Sequence, residues 1–279
     1  MTLHMHTPID TLTPLAADGA VTLVQFSDPH LLSDPSQHFL GMNPAESLAA
    51  VLAEIAQEPA VDALLATGDL SQDHLAGSYQ LFAQLLSNLT PPTFALPGNH
   101  DVPALMTQVF TNSTIQIGRC LVLGSWQILM LNSTVEDAPA GELSGAELGW
   151  LTQVIEQHPE RYTIVALHHN PILTGCSWLD QHCLRNGNEL LALMGKYPHV
   201  KAVIWGHVHQ QMEQQYLHVQ LLGVPATSVQ FKPQSAEFAL DAQPPGYRVL
   251  HLSADGQIQS TVKRLEAGRF VPHLDVTGY

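Results

Sequence analysis

Five short apolar stretches each run straight into a few residues of Asp, His, Asn and Gly, and this pattern limits the fold more than any other feature. The apolar runs and their polar ends are "VTLVQFS" (21–27) into "SDPH", "VDALLATGD" (61–69) into "TGDLSQD", "PTFALPGN" (92–99) into "PGNHD", "YTIVALHH" (162–169) into "LHHN", and "VKAVIW" into "GHVH" (200–209). Runs that are apolar on both faces are what interior strands of covered sheets look like. Helical patterns separate them. One spans 43–57, with Asn43 as N-cap and Pro44 in the first turn. Others span 75–89, 144–158 and about 187–196; the third has Ser144 as cap and Glu147 to complete a capping box. "RCLVLGSWQILMLNS" (119–133) reads as a hairpin, and the C-terminal third is mostly strand. Early β-α-β alternation followed by strands predicts an α/β fold with helix-covered sheets. At 279 residues, with no repeat and no linker, the chain reads as a single domain over 1–279.

Charge excludes two partner classes. The formal net charge is −15, with only ten Lys and Arg. A polymeric nucleic acid needs a basic stripe, and an anionic membrane surface needs basic clusters, so neither partner is expected. A small anionic substrate is compatible, because bound metal ions can supply local positive charge. No apolar run reaches membrane-spanning length, and the N-terminus lacks the features of a signal peptide, so a cytoplasmic location is expected. Cys120, Cys176 and Cys183 have no metal-type spacing and read as free thiols. Of sixteen histidines, the isolated ones (His4, His6, His38, His158, His199, His218, His251 and His273) read as surface residues.

The polar ends carry the chemistry. Ligands in open α/β sheets bind beyond the carboxyl ends of strands. Asp28 and His30 are two apart, as are His207 and His209, and in an extended stretch such pairs point the same way. Glycines precede Asp69, Asn99 and His207, where backbone must approach closely and turn. Carboxylate, amide oxygen and imidazole together suit Mn, Fe, Zn or Co, and suit Ca or Mg poorly. Each motif alone also reads as an ordinary turn or a hydrogen-bonded histidine; five in register at strand ends do not. His168 and His169 are neighbours, so strand alternation lets only one of them face a given site, without saying which.

In this order, D-x-H, G-D-x-x-x-D, G-N-H-D, H and G-H-x-H resembles the calcineurin-like metallophosphoesterase superfamily. "ATGDLSQD", "LPGNHD", "GCSWLDQHCLRN" and "VQFKP" are closest to its class III cyclic-nucleotide phosphodiesterases, which include enterobacterial cyclic-AMP phosphodiesterases. The resemblance implies a four-layer α/β/β/α sandwich and two divalent transition-metal ions, Fe or Mn first and Zn or Co next. One ion would sit on Asp28, His30, Asp69 and His209, the other on Asp69, Asn99, His168 and His207, with Asp69 bridging. It also selects His168 as the ligand of the histidine pair, leaving His169 to point toward the loop at Pro171 or to line the substrate pocket. The implied reaction is hydrolysis of 3′,5′-cyclic AMP to 5′-AMP by a metal-bridging hydroxide. His100 would assist the leaving group, and His30, Asp69, Asn99, His100 and His209 would face the substrate. The loops 171–189 and 223–233 are the candidate walls for the base and ribose; His169, His182 and Asn186 read as loop scaffolding first and as contacts second, and Trp178 as a loop anchor ahead of a base-stacking surface. Asp73 and Asp101 either orient ligand imidazoles or serve as turn carboxylates. A homodimer is compatible with the resemblance. A broader phosphodiesterase or phosphatase on the same centre is the alternative. A non-catalytic scaffold is disfavoured, because all seven ligand positions are kept.

Overall fold

The computed structural model describes residues 9–278; His4, His6 and the first residues of the N-terminal segment lie outside them. In chain order the elements are β1 (Ile9–Leu12), β2 (Val21–Phe26), α1 (Pro44–Ile55), β3 (Ala63–Ala66), α2 (Ala76–Leu86), β4 (Thr93–Ala95), α3 (Pro103–Phe110), β5 (Ile115–Gln116), β6 (Cys120–Leu123), β7 (Trp126–Met130), α4 (Gly145–Gln157), β8 (Tyr162–Ala166), α5 (Gly187–Met194), β9 (Val200–Trp205), β10 (Met212–Tyr216), β11 (Val219–Gly223), β12 (Gln230–Phe231), β13 (Leu240–Asp241), β14 (Gly246–Leu252) and β15 (Ile258–Arg264).

They form two large sheets, ordered β15-β14-β2-β3-β4-β5 and β1-β6-β7-β8-β9-β11-β10. Strand periodicity explains how the sheets stack. Alternate side chains of each strand point to opposite faces. Leu23, Leu65 and Phe94 from one sheet join Ile128, Ile164 and Ile204 from the other in a buried core between the sheets. Their neighbours Val24, Leu64, Val165 and Val203 join a second core with helix residues such as Leu48, Phe82, Met106, Leu151 and Leu190. The result is α/β/β/α layering, which covers both faces of these strands. Arg248, fully buried in β14, ties the two sheets together by donating to the Glu213 carboxylate and the carbonyl oxygens of Met212 and Gly223.

Local signals act largely as expected. Asn43 caps α1 by accepting from Glu46 N at 3.0 Å, and Ser144 caps α4 by accepting from Glu147 N at 3.1 Å. The expected capping box is half-formed, because the Glu147 carboxylate pairs with Arg119. The segment 119–133 forms the antiparallel β6–β7 hairpin. Strand β1 and helix α3 were not anticipated: β1 is short and half-exposed, and α3 begins at a Pro inside a loop-like stretch. Among the described residues, no helix is long and apolar enough to cross a membrane.

Candidate functional site

Strands β2, β3 and β4 are parallel neighbours in one sheet, and β8 and β9 are parallel neighbours in the other. Each stops just before its polar motif, so Asp28, His30, Asp69, Asn99 and His100 come from one sheet and His168, His207 and His209 from the other. The backbone then curls. Asp28, His30, Asp69, His207 and His209 all have φ between 48° and 65°. The expectation that the spaced pairs converge as extended chain is therefore corrected. Left-handed backbone costs an L-residue on the order of 1–2 kcal/mol and persists where the surroundings enforce it. Here Asp28 N and His30 N donate to the carbonyls of Gly68 and Asp69, each at 3.0 Å. His207 N donates to both Asp28 carboxylate oxygens, at 3.0 and 3.1 Å. A Cβ on Gly98 would overlap Asp69 Oδ1, and one on Gly206 would overlap Ser27 Oγ, so these loops close only around glycine.

Hydrogen bonds fix which nitrogen each imidazole offers. A carbonyl oxygen only accepts, so the nitrogen facing it carries the proton. His168 Nδ1 donates to Thr67 O at 2.7 Å, and His209 Nδ1 donates to Val229 O at 2.8 Å. His30 Nδ1 meets Gln72 Oε1 at 2.7 Å. Each ring is left with Nε2 aimed inward, the arrangement that outer partners impose on metal-binding histidines. His30 Nε2 and His209 Nε2 face each other at 3.1 Å. Two lone pairs that close repel unless a cation or a proton lies between them. Asp28 Oδ1 is 3.5 Å from His209 Nε2. Asp69 Oδ2 lies 3.6 Å from His30 Nε2 and 3.3 Å from His168 Nε2, so one oxygen faces both sets. Asn99 Oδ1 is 3.1 Å from His168 Nε2.

The electrostatics agree. Burial would raise the Asp69 carboxyl, but His168 and His100 outweigh it and hold it well below the ordinary range. Burial also opposes the lowering of Asp28, which His209 nevertheless brings about. Burial lowers His30 to about 3 and His169 to about 3, and holds His207 well below the usual imidazole value, so these rings are neutral. His168 is opposed by burial yet raised to about 9, because the Asp69 carboxylate holds its proton. His207 Nε2 and His169 Nε2 are buried with no hydrogen-bond partner among the described residues. Neutral rings at His30, His169 and His207, ionised carboxylates and unsatisfied buried nitrogens fit a site completed by cations, one of which would take the place of the His168 proton. The His/Asp groups close enough to share an ion include Asp28–His30–His209, Asp28–Asp69–His168 and His168–His169–His207.

Strand β8 ends at Ala166, so His168 and His169 lie in a bend and strand alternation no longer separates them. His168 meets Asn99 and Asp69, as described above. His169 does not turn away toward Pro171. Its Nδ1 meets Ser133 Oγ at 2.8 Å and its ring sits 4.8 Å from that of His207, so it borders the cluster.

Several supporting assignments change. Asp101 and Asp73 touch no ligand imidazole. Asp101 accepts from the backbone N–H groups of Gly98, Leu70 and Ser71 at 2.9–3.1 Å, joining two ligand loops. Asp73 accepts from Ser33 N and Leu75 N. The imidazole partners are Gln72 and two backbone carbonyls, and carbonyls leave no side-chain signal in a sequence. The Asn186 amide serves the loop scaffold, donating to Leu143 O and accepting from Leu143 N. Trp178 is a loop anchor, packed edge-on against Phe231 and Phe238. Phe231 in turn stacks on His209, with centroids 4.0 Å apart and rings 11° from parallel.

The His100 backbone N–H donates to Asp69 Oδ1 at 2.9 Å, and its ring stands edge-on to His30 at 5.0 Å. Burial lowers its pKa and Asp69 pulls the other way. A cavity of about 670 Å³ opens beside it, bounded by Asn99, His100, His74 and the loop 134–139. The expected walls, 171–189 and 223–233, do not line it; the second of these packs beneath His209 instead.

The chain matches the calcineurin-like phosphoesterase family over residues 21–211. It is 42% identical, over 95% of its length and 98% of the relative's, to the 3′,5′-cyclic adenosine monophosphate phosphodiesterase CpdA of Escherichia coli K12. It is 36% identical to the CpdA of Pseudomonas aeruginosa over the whole of both chains. Among solved structures, a dimetal phosphatase from Danio rerio superposes with a TM-score of 0.59 at 12% identity, covering 88% of this chain and 99% of that one. Fold, motif order and full-length similarity agree: this chain belongs to the calcineurin-like phosphoesterase family.

Proposed function

We propose that the chain hydrolyses 3′,5′-cyclic AMP to 5′-AMP at a dinuclear metal centre. Asp28, His30, Asp69 and His209 would hold one ion, and Asp69, Asn99, His168 and His207 the other. The observation that carries the metal assignment is the position of Asp69 Oδ2 between His30 Nε2 and His168 Nε2. The choice of substrate rests on the full-length similarity to CpdA enzymes. The mixed nitrogen and oxygen donors favour Fe or Mn, with Zn or Co next. When bound, two divalent ions supply positive charge to a phosphate and lower the pKa of a water between them.

The chain's own residues do the rest. Nδ1 hydrogen bonds hold the imidazoles with Nε2 inward, so little reorganises when substrate arrives. The chain is otherwise strongly acidic, so a monoanionic phosphodiester is attracted only where cations are held. His100 stands between the clusters and the cavity, where its imidazole can donate to the departing ribose 3′ oxygen. Asp69 anchors the His100 backbone, so one carboxylate positions both the clusters and the acid.

The test compares hydrolysis of cyclic AMP, cyclic GMP, 2′,3′-cyclic AMP and bis(p-nitrophenyl) phosphate by metal-reconstituted protein. Preference for cyclic AMP supports the reading; equal turnover of all four would replace it with a broad phosphodiesterase. Asp69→Ala should lose metal and turnover together, whereas His100→Ala should keep metal and lose turnover. Full turnover by His100→Ala would refute the acid assignment.

A further inference from the structure

The cavity beside His100 has a chemistry that the dinuclear centre does not explain. At about 670 Å³ it falls within the ~300–1,000 Å³ typical of small-molecule sites. One end reaches Asn99 and so opens onto the clusters. No Lys or Arg lines it among the described residues, and Glu136 and Asp137 stand at its rim. An anionic group is therefore unwelcome along its length. A phosphodiester anchored at the metal end must place an uncharged part here.

The wall nearest the centre offers that part a flat surface. The His74 ring lies 8° from parallel to the His100 ring, with centroids 6.0 Å apart. The pair extends an aromatic face from the acid outward to solvent. His74 is exposed, so no packing demand explains an aromatic ring there. Its backbone is nonetheless fixed. It adopts φ 58°, and its N–H donates to Ser71 Oγ at 3.0 Å. Ser71 is itself held by Ser78 Oγ at 2.7 Å.

The 134–139 part of the lining is also built in advance. Thr134 donates to Asn132 Oδ1 through both its N–H, at 3.0 Å, and its hydroxyl, at 2.7 Å. Ala138 N closes the turn on Val135 O at 3.2 Å. A lining held by its own hydrogen bonds, with no cationic side chain, needs little ordering on binding, and that saves affinity.

We propose that this cavity is the nucleoside subsite and that His74 is the platform on which the purine stacks. The inference rests on the cyclic-nucleotide reading above. It assigns base recognition to His74 and the 134–139 wall, neither of which is among the expected contacts. Stacking on an aromatic face is tolerant of base identity. His74 therefore separates nucleotides from base-free diesters, and does not separate adenine from guanine.

The test measures KM and kcat for cyclic AMP and for a base-free ribose 3′,5′-cyclic phosphate on metal-loaded wild type, His74→Asn and His74→Phe. Asparagine tolerates the left-handed backbone but removes the ring. His74→Asn should raise KM for cyclic AMP about 5- to 30-fold, in line with base–aromatic stacking, with kcat within about twofold. His74→Phe should restore KM. Neither variant should change the base-free substrate. An unchanged KM in His74→Asn, an equal loss on the base-free substrate, or no rescue by phenylalanine would each overturn the subsite. Wild-type protein that fails to hydrolyse cyclic AMP would instead refute the function on which the subsite rests, so the two failures are distinct. Quenching of a cyclic 2-aminopurine nucleotide by wild type and His74→Phe, lost in His74→Asn, gives an independent readout of stacking.

Discussion

Replacing Asp101 with alanine tests how the two metal-binding loops are joined. Its carboxylate accepts from Gly98 N at 2.9 Å, Leu70 N at 3.0 Å and Ser71 N at 3.1 Å. These donors flank Asp69 on one loop and Asn99 on the other. Burial, then the Asp69 charge, pushes the carboxyl up to about 7 while the N–H groups pull it down, so keeping it charged in the folded state opposes part of what these hydrogen bonds contribute. Hydrogen bonds to a charged acceptor contribute about 1.5–3 kcal/mol each, and a buried donor left unpaired costs about 1–3 kcal/mol. Water entering the vacated space would satisfy some of the three. Relief of the Asp69 repulsion offsets part of this, so the expected loss is about 2–3 kcal/mol. For a chain of this size 1 kcal/mol shifts Tm by roughly 2–4 °C, which predicts a fall of about 4–12 °C. Thermal unfolding of metal-free protein at pH 8 measures it, and metal analysis of the same sample should show weaker retention. Asp101→Asn keeps one acceptor and should fall between. A variant melting within about 2 °C of the parent would refute the joining role.

Four further outcomes follow from the geometry. Phe231→Leu removes the ring stacked on His209 while keeping an apolar residue, so the fold should survive and metal retention should weaken; unchanged metal content after dialysis would contradict this. Gly206→Ala drives a Cβ against Ser27 Oγ and to within 2.9 Å of the Thr67 carbonyl, so it should abolish metal binding; a fully loaded variant would show that the loops can yield. Burial pushes the Cys120 thiol up to about 11. Its unfolded value is about 8.5. Both states are neutral below that, and as pH rises from about 9 to 11 only the unfolded thiol ionises, so stability falls over that window. Thiol titration at pH 8 should label Cys183, which is half-exposed, before the buried Cys120 and Cys176; simultaneous labelling would count against the burial.

Much of the site was legible in the sequence because metal chemistry restricts residue types. Only Asp, His and Asn at the ends of apolar strands could supply a mixed donor set, and all seven expected ligand positions do converge. The covered sheets were legible for a related reason. Strands apolar on both faces, such as "VTLVQF" and "VKAVIW", must be covered on both sides, although the four-layer order itself came from the family resemblance and not from the strand pattern. What failed was local geometry. The spaced pairs were expected to converge as extended chain, yet five of these residues take left-handed backbone. Strand alternation was expected to part His168 from His169, yet the strand ends before them.

The sequence by itself determined which side chains could bind metal and that they would sit at the carboxyl ends of strands, since periodicity and ligand chemistry are local properties. Only the tertiary structure decided how those side chains are aimed and where the substrate's organic part can lie. The Nδ1 partners are carbonyls of Thr67 and Val229, which every residue carries and no sequence marks. The cavity wall joins His74 to a loop some sixty residues away, and a contact of that kind exists only once both sheets have packed.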